Sequence, residues 1–158
     1  MDVRETDSTR CSVARTAALV ADGWTVLVLR DLFNGLRRFD ELVAHLGIAR
    51  NVLTRRLAAL DEAGLVQRVA YRADGSRERH EYRLTEAGYD LRPVLLALMA
   101  WGDRHLLADG EAPPAAVVHR DCGTPVHVEV RCAEGHPVTP GTRLRTVFDP
   151  AAARGQSG

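Results

Sequence analysis

Lysine is absent from this chain: all 21 basic residues are arginine, matched by 21 aspartates and glutamates for a formal net charge of zero. An all-arginine repertoire selects no function by itself. Long apolar runs are also missing. None approaches the ~18 residues of a membrane span, and the opening MDVRETDSTR lacks the apolar region of a signal peptide. The expectation is a cytoplasmic protein with no membrane partner. Enzyme signatures are missing too: there is no P-loop, dinucleotide fingerprint, G-x-S-x-G or H-E-x-x-H. The paired acids Asp40 and Glu41 sit on a helix with nothing converging on them. No enzyme is expected.

Cysteine is scarce and odd in number: Cys11 near the start, Cys122 and Cys132 near the end. In a cytosolic chain such thiols point to metal or redox chemistry before structural disulfides.

What is present is a soluble globular composition, 46% hydrophobic and 27% charged, in 158 residues. That is enough for one domain with a small appendage. The neutral total hides an uneven distribution. Residues 24–84 hold eleven Arg against eight Asp and Glu, whereas 85–118 hold two against five. Partner choice follows the local sign, so the basic half draws attention.

Along the chain, residues 1–10 read as a flexible N-terminus and SVARTAALVA (12–21) as a short apolar helix. WTVLVLRDLF (24–33) is strand or helix by periodicity alone, and its flanking Asp22-Gly23 and Asn34-Gly35 favour a buried helix between turns. FDELVAHLG (39–47) has helical spacing with Gly47 as its stop. A helix over 50–63 follows, with Leu53, Leu57 and Leu60 on one face. LVQRVAYR and HEYRL then alternate around Asp74-Gly75, a β-hairpin signal. Thr85 caps a long helix over 86–107 that Pro93 kinks or splits.

Helix, tight turn at Gly47-Ile48, helix is the spacing of a helix-turn-helix. With the leucines turned inward, Arg50, Asn51, Thr54 and Arg55 face outward near the helix N-terminus. Arginine can fork onto guanine, asparagine pairs with adenine, and threonine meets a phosphate or a thymine methyl. Arg56 lies nearer the buried flank, open to pairing with an acid or reaching a phosphate. The hairpin adds Arg72, Arg77, Arg79 and His80, placed as a wing would be. A merely solvated charged face is the competing reading for the helix alone. The ordered succession of helix-turn-helix, basic hairpin and long helix argues against it.

Three segments now resemble one family: CSVARTAALVADGWTVLVLRDLF, RRFDELVAHLGIARNVLTRRLAALDEAGLVQR and EYRLTEAGYDLRPVLLALMAWGDRH. They are similar, in order over 11–107, to the HxlR-type winged helix-turn-helix transcriptional regulators. The resemblance implies a homodimer on double-stranded DNA, most simply a repressor on a two-fold related operator, with an unknown small-molecule or redox effector. It carries Arg50, Asn51, Thr54 and Arg55 over to base edges and phosphates and Arg77 and Arg79 to the wing, and Arg56 is kept with them as a DNA-binding candidate. Two departures stand out. Ala49 replaces the serine often found before the recognition helix, and the wing is ADGSRERH where relatives are Pro-rich. The alternative function is a winged-helix protein-protein interaction module without specific DNA binding.

A single winged unit reads few base pairs, so two copies are expected. Leu91, Leu95, Leu98 and Trp101 give the last helix the apolar face for that dimer. Cys11 matches a position that is a thiol sensor in some family members, and helix N-termini favour the reactive thiolate. An ordinary small side chain is the other reading.

Residues 108–117 read as a linker, 118–150 as a small β module and 151–158 as a disordered tail. His119, Cys122, Cys132 and His136 lie at knuckle-like spacings that suit a structural Zn²⁺, with His127 a rival ligand. A metal-free hairpin is the alternative. The expected fold class is therefore α+β: a mainly helical winged helix-turn-helix domain with a hairpin wing, plus a zinc-ribbon-like C-terminal module.

Overall fold

A computed structural model of the chain describes residues 7–71 and 79–148. A 3₁₀ turn at Ser8–Arg10 leads into α1 (Ser12–Val20), α2 (Gly23–Phe33), α3 (Phe39–Leu46) and α4 (Arg50–Glu62). Strands β1 (Val66–Tyr71) and β2 (Arg79–Leu84) form an antiparallel hairpin, with Val66 opposite Leu84 and Tyr71 opposite Arg79. Helices α5 (Glu86–Tyr89) and α6 (Arg92–His105) complete the regular elements.

The ambiguous WTVLVLRDLF segment is helical because its N-terminus is capped. Asp22 accepts from the Thr25 amide at 3.2 Å, while Val28, Leu29 and Leu32 turn inward and are buried. Gly47 ends α3 in the left-handed region (φ 62°), where a side chain would be strained, and the chain turns directly into α4. Leu53, Leu57 and Leu60 of α4 are buried, as are Leu29 of α2, Leu42 of α3 and Val66 of β1. The result is a winged helix-turn-helix with a two-strand hairpin.

Two links fix the hairpin to the helices. The Tyr82 amide donates to the Arg37 carbonyl at 2.8 Å, and Arg38 forms an isolated bridge with Glu81. At the far end the Thr85 hydroxyl donates to the Gly64 carbonyl at 2.6 Å and accepts from the Gly88 amide at 3.2 Å. A Cβ on Gly88 would stand 2.1 Å from the Leu65 carbonyl oxygen, so the approach of α5 to the end of α4 requires glycine here.

One acid belongs to this core. Asp31 is 1% exposed and accepts from Arg30 at 2.9 and 2.8 Å, with His45 Nδ1 at 2.6 Å. It ties the end of α2 to the last turn of α3, and both partners reach solvent. No buried polar side-chain atom is left without a partner among the described residues.

Of the two outcomes that the sequence leaves for Pro93, the structure takes the split: Pro93 lies in the first turn of α6, where its missing amide is not needed. Two expectations change. The β-rich module is reduced to two isolated bridges, Val118 to Pro125 and Arg131 to Pro137. Each bridge has proline as one partner, and a residue without N–H cannot extend a ladder. Packing also divides the chain between Tyr89 and Asp90, not at 108–117: Asp90–Arg143 forms a second compact unit. Within it Leu96 and Met99 of α6 line a groove with Pro113, Val117 and Val126, which joins this helix to the segment that follows.

Ala49 occupies the N-cap of α4 in extended conformation (φ −63°, ψ 135°) and makes no capping bond. Ala49→Ser supplies the missing acceptor and should stabilise the protein by about 1 kcal/mol. Urea unfolding would show this as a raised midpoint with an unchanged slope; an unmoved midpoint would mean that the α4 amides are already satisfied.

Candidate nucleic-acid interface

Helix α4 separates its two faces cleanly. Leu53, Leu57 and Leu60 are buried, whereas Asn51, Thr54, Arg55 and Ala58 are exposed. The Thr54 hydroxyl donates back to the Arg50 carbonyl at 2.9 Å. The residue as a whole is exposed.

The three arginines of this helix have different surroundings. Arg50 donates from Nη1 to Asp40 at 2.8 Å and lies over the Phe39 ring, 4.8 Å from its centroid, yet remains two-thirds exposed. Arg56 turns away and pairs with Asp22 at 2.9 Å, at the N-cap of α2. Of the two options that the sequence leaves for Arg56, the structure takes the acid, and this residue leaves the outward set. Arg55 is exposed, with no ion-pair partner among the described residues.

Between the start of α3, the start of α4 and the hairpin lies a cleft of about 600 Å³, where Arg38, Arg50, Arg68, Arg79 and His80 outnumber the acids Asp40 and Glu41, with Phe39, Tyr71 and Tyr82 completing the lining. Arg38 stacks on Tyr71, 5.0 Å from the ring centroid, and Arg68 Nη2 is 3.0 Å from His80 Nδ1. The sequence reading placed Arg79 here and missed Arg38 and Arg68. A signal existed for Arg68, which sits two residues after the buried Val66 in an alternating strand. Arg38 comes to the cleft only through the contact with β2. Arg72 and Arg77, the other wing candidates, lie outside the described residues.

The proposed dimer residues divide as well. Leu91 and Leu95 are half-buried, while Leu98 is 52% and Trp101 57% exposed; Val94 and Leu106 add to the uncovered apolar surface. Helix α1 buries none of its residues, and Val13 is 76% exposed. Cys11 is exposed at the N-cap of α1.

The remaining candidates form two pairs. His119 Nδ1 is 3.4 Å from Cys122 Sγ, and His136 Nδ1 is 3.5 Å from Cys132 Sγ. Hydrogen bonds from the Thr124 side chain and then its amide hold the Cys122 thiol below its usual range. Among the described residues no three His, Cys, Asp or Glu side chains gather as an ion would need. His127 lies apart from both pairs, in the groove against Leu96 and Met99. No single helix among the described residues is long and apolar enough to cross a membrane.

The chain is similar to proteins named as transcriptional regulators. The chain matches the HxlR-like helix-turn-helix family over residues 19–109. It is 50% identical over 112 residues to an uncharacterized HTH-type transcriptional regulator of Mycobacterium tuberculosis, spanning 71% of this chain and 69% of the relative. The crystal structure of PA1607, a candidate transcription factor, superposes with a TM-score of 0.74 at 39% identity, covering 87% of this chain and 96% of the other. The redox regulator HypR in its oxidized form superposes at 0.54 with 29% identity, over 60% of this chain and 97% of HypR. The chain belongs to the HxlR-like helix-turn-helix family of transcriptional regulators.

Proposed function

We propose that this regulator is a cytoplasmic homodimer that binds a two-fold related operator in double-stranded DNA and represses transcription, with no enzymatic activity. The observation that carries the reading is the two-faced α4: a leucine stripe in the core, and Asn51, Thr54 and Arg55 exposed beside the helix N-terminus. These side chains enter the major groove, Arg55 and Asn51 on base edges and Thr54 on phosphate or a thymine methyl. Arg38, Arg68 and Arg79 of the cleft then follow the phosphate backbone. The uncovered apolar residues of α6, Leu98 and Trp101 among them, and those of α1 are each available to meet a second copy.

Arg50 is shared between two roles. Its pairing with Asp40 is solvent-exposed, and such pairs contribute only about 0–1 kcal/mol. DNA phosphate therefore competes for it readily. Asp40→Ala removes both the rival acceptor and a negative charge at the interface, so operator affinity should rise a few-fold, most at low salt, in an anisotropy titration. Weaker binding by Asp40→Ala would mean that the pair orients Arg50 for DNA.

Control enters through a small ligand or through thiol oxidation. Exposure of Cys11 at the head of α1, beside the proposed dimer contact, favours oxidation, as does the likeness to the redox regulator HypR.

The test is a fluorescence titration on the DNA upstream of the protein's own gene, against scrambled duplex, at several salt concentrations. Tight binding that favours the upstream duplex and weakens steeply with salt supports the regulator. Equal, weak and salt-insensitive binding to both would favour a protein-binding winged helix instead.

A further inference from the structure

The segment after α6 has almost nothing apolar to hold it. Across residues 118–143 only Val128 and Val138 are less than exposed. A stretch of ~30 residues is too small to fold on core burial alone and needs a cross-link, a metal or a partner. Yet it contains two well-defined turns. In the first, the Gly123 amide donates to the His119 carbonyl at 2.8 Å and Val126 to Val117 at 2.8 Å. In the second, the Gly135 amide donates to Cys132 at 2.8 Å and Val138 to Val130 at 2.8 Å. Both glycines have positive φ, 68° and 82°, which lets each turn fold back on itself.

What the turns accomplish is the same in both cases: each sets one thiol beside one imidazole. The sulfur-to-nitrogen separations are 3.4 and 3.5 Å. Zinc ligands at about 2.3 Å for sulfur and about 2.0–2.1 Å for nitrogen, at a tetrahedral angle, stand about 3.5 Å apart. Each pair stands at a hydrogen-bond separation that also matches two ligands on one zinc tetrahedron, while the two pairs do not gather into one group among the described residues.

We infer that His119, Cys122, Cys132 and His136 bind one structural zinc ion per chain, which draws the two turns together and closes the C-terminal segment. Two thiolates and two neutral imidazoles balance the dication, so binding releases the two thiol protons and leaves a neutral site. Four protein ligands leave no position for water, and the ion has no catalytic role. His127 has no cysteine beside it and lines the groove with Leu96 and Met99, so the site is assigned without it.

The test uses the full chain, loaded with zinc, dialysed and assayed for metal, then exchanged with cobalt. The expected result is one ion per chain, with the visible bands of tetrahedral cobalt and a thiolate-to-cobalt charge-transfer band. Cys122→Ser and Cys132→Ser should each lose the ion and the charge-transfer intensity, and His127→Ala should keep both. The wild-type stoichiometry stands even if a cysteine variant misfolds. No retained metal overturns the inference, as does an octahedral cobalt spectrum. Half an ion per chain would put the ligands on two copies and overturns the intrachain site. Alkylation showing both thiols consumed in a Cys122–Cys132 disulfide, with no metal bound, would likewise overturn it.

Discussion

Leu57→Ala should lower stability by about 2–5 kcal/mol, a large part of the roughly 5–15 kcal/mol that holds a typical domain folded. Leu57 is fully buried near the middle of α4, with Leu53 one turn before it and Leu60 one turn after. Truncation removes buried methyl groups and leaves a cavity that flanking leucines on a rigid helix cannot fill. The same stripe fixes the angle at which Asn51, Thr54 and Arg55 are presented, so the loss reaches function as well as stability. Chemical denaturation should show a lowered midpoint with an unchanged slope, and apparent operator affinity should fall with the folded fraction. A change below 0.5 kcal/mol, the range of ordinary surface substitutions, would remove Leu57 from the core and with it the orientation assigned to α4.

Arg55→Ala should weaken operator binding by about 1–3 kcal/mol, roughly 5-fold to 150-fold, while leaving the fold intact. Of the three arginines on α4, Arg50 is held by Asp40 and Phe39, and Arg56 by Asp22. Arg55 is exposed and without an ion-pair partner among the described residues, so no described ion pair competes with a base for its guanidinium. If it forks onto guanine, Arg55→Lys restores charge but not the two parallel hydrogen bonds, and selectivity stays low. If it meets only phosphate, Lys restores binding and the Ala variant reduces the salt slope by about one. Arg56→Ala, by contrast, should change affinity little. Unchanged binding by Arg55→Ala would take the residue off the interface.

Legibility in the sequence followed how local each signal was. The leucine stripe of α4, the Gly47 stop, the Thr85 cap and the Pro93 break all act within a few residues, and each was readable. Arg56 meeting Asp22 spans 34 residues, and Asp31 meeting His45 spans 14, so these pairs exist only once the helices pack. The same holds for the basic cleft, where Arg38 and Arg68 come together through the pairing of the α3 entry with β2. The C-terminal segment misled for a different reason. Val126, Val128 and Val130 alternate as a strand does, but alternation records only which sides residues face. Pro125 and Pro137 stand at the bridging positions and stop the ladder at one bridge each.

The most direct test of the central claim, that paired α4 helices read DNA sequence, is selection of the purified protein on a random duplex pool, followed by sequencing. The account predicts an enriched inverted repeat whose half-sites are separated by about one helical turn, roughly 10–10.5 base pairs or a multiple. A pool that stays random after several rounds, although the protein is folded and dimeric, would contradict it.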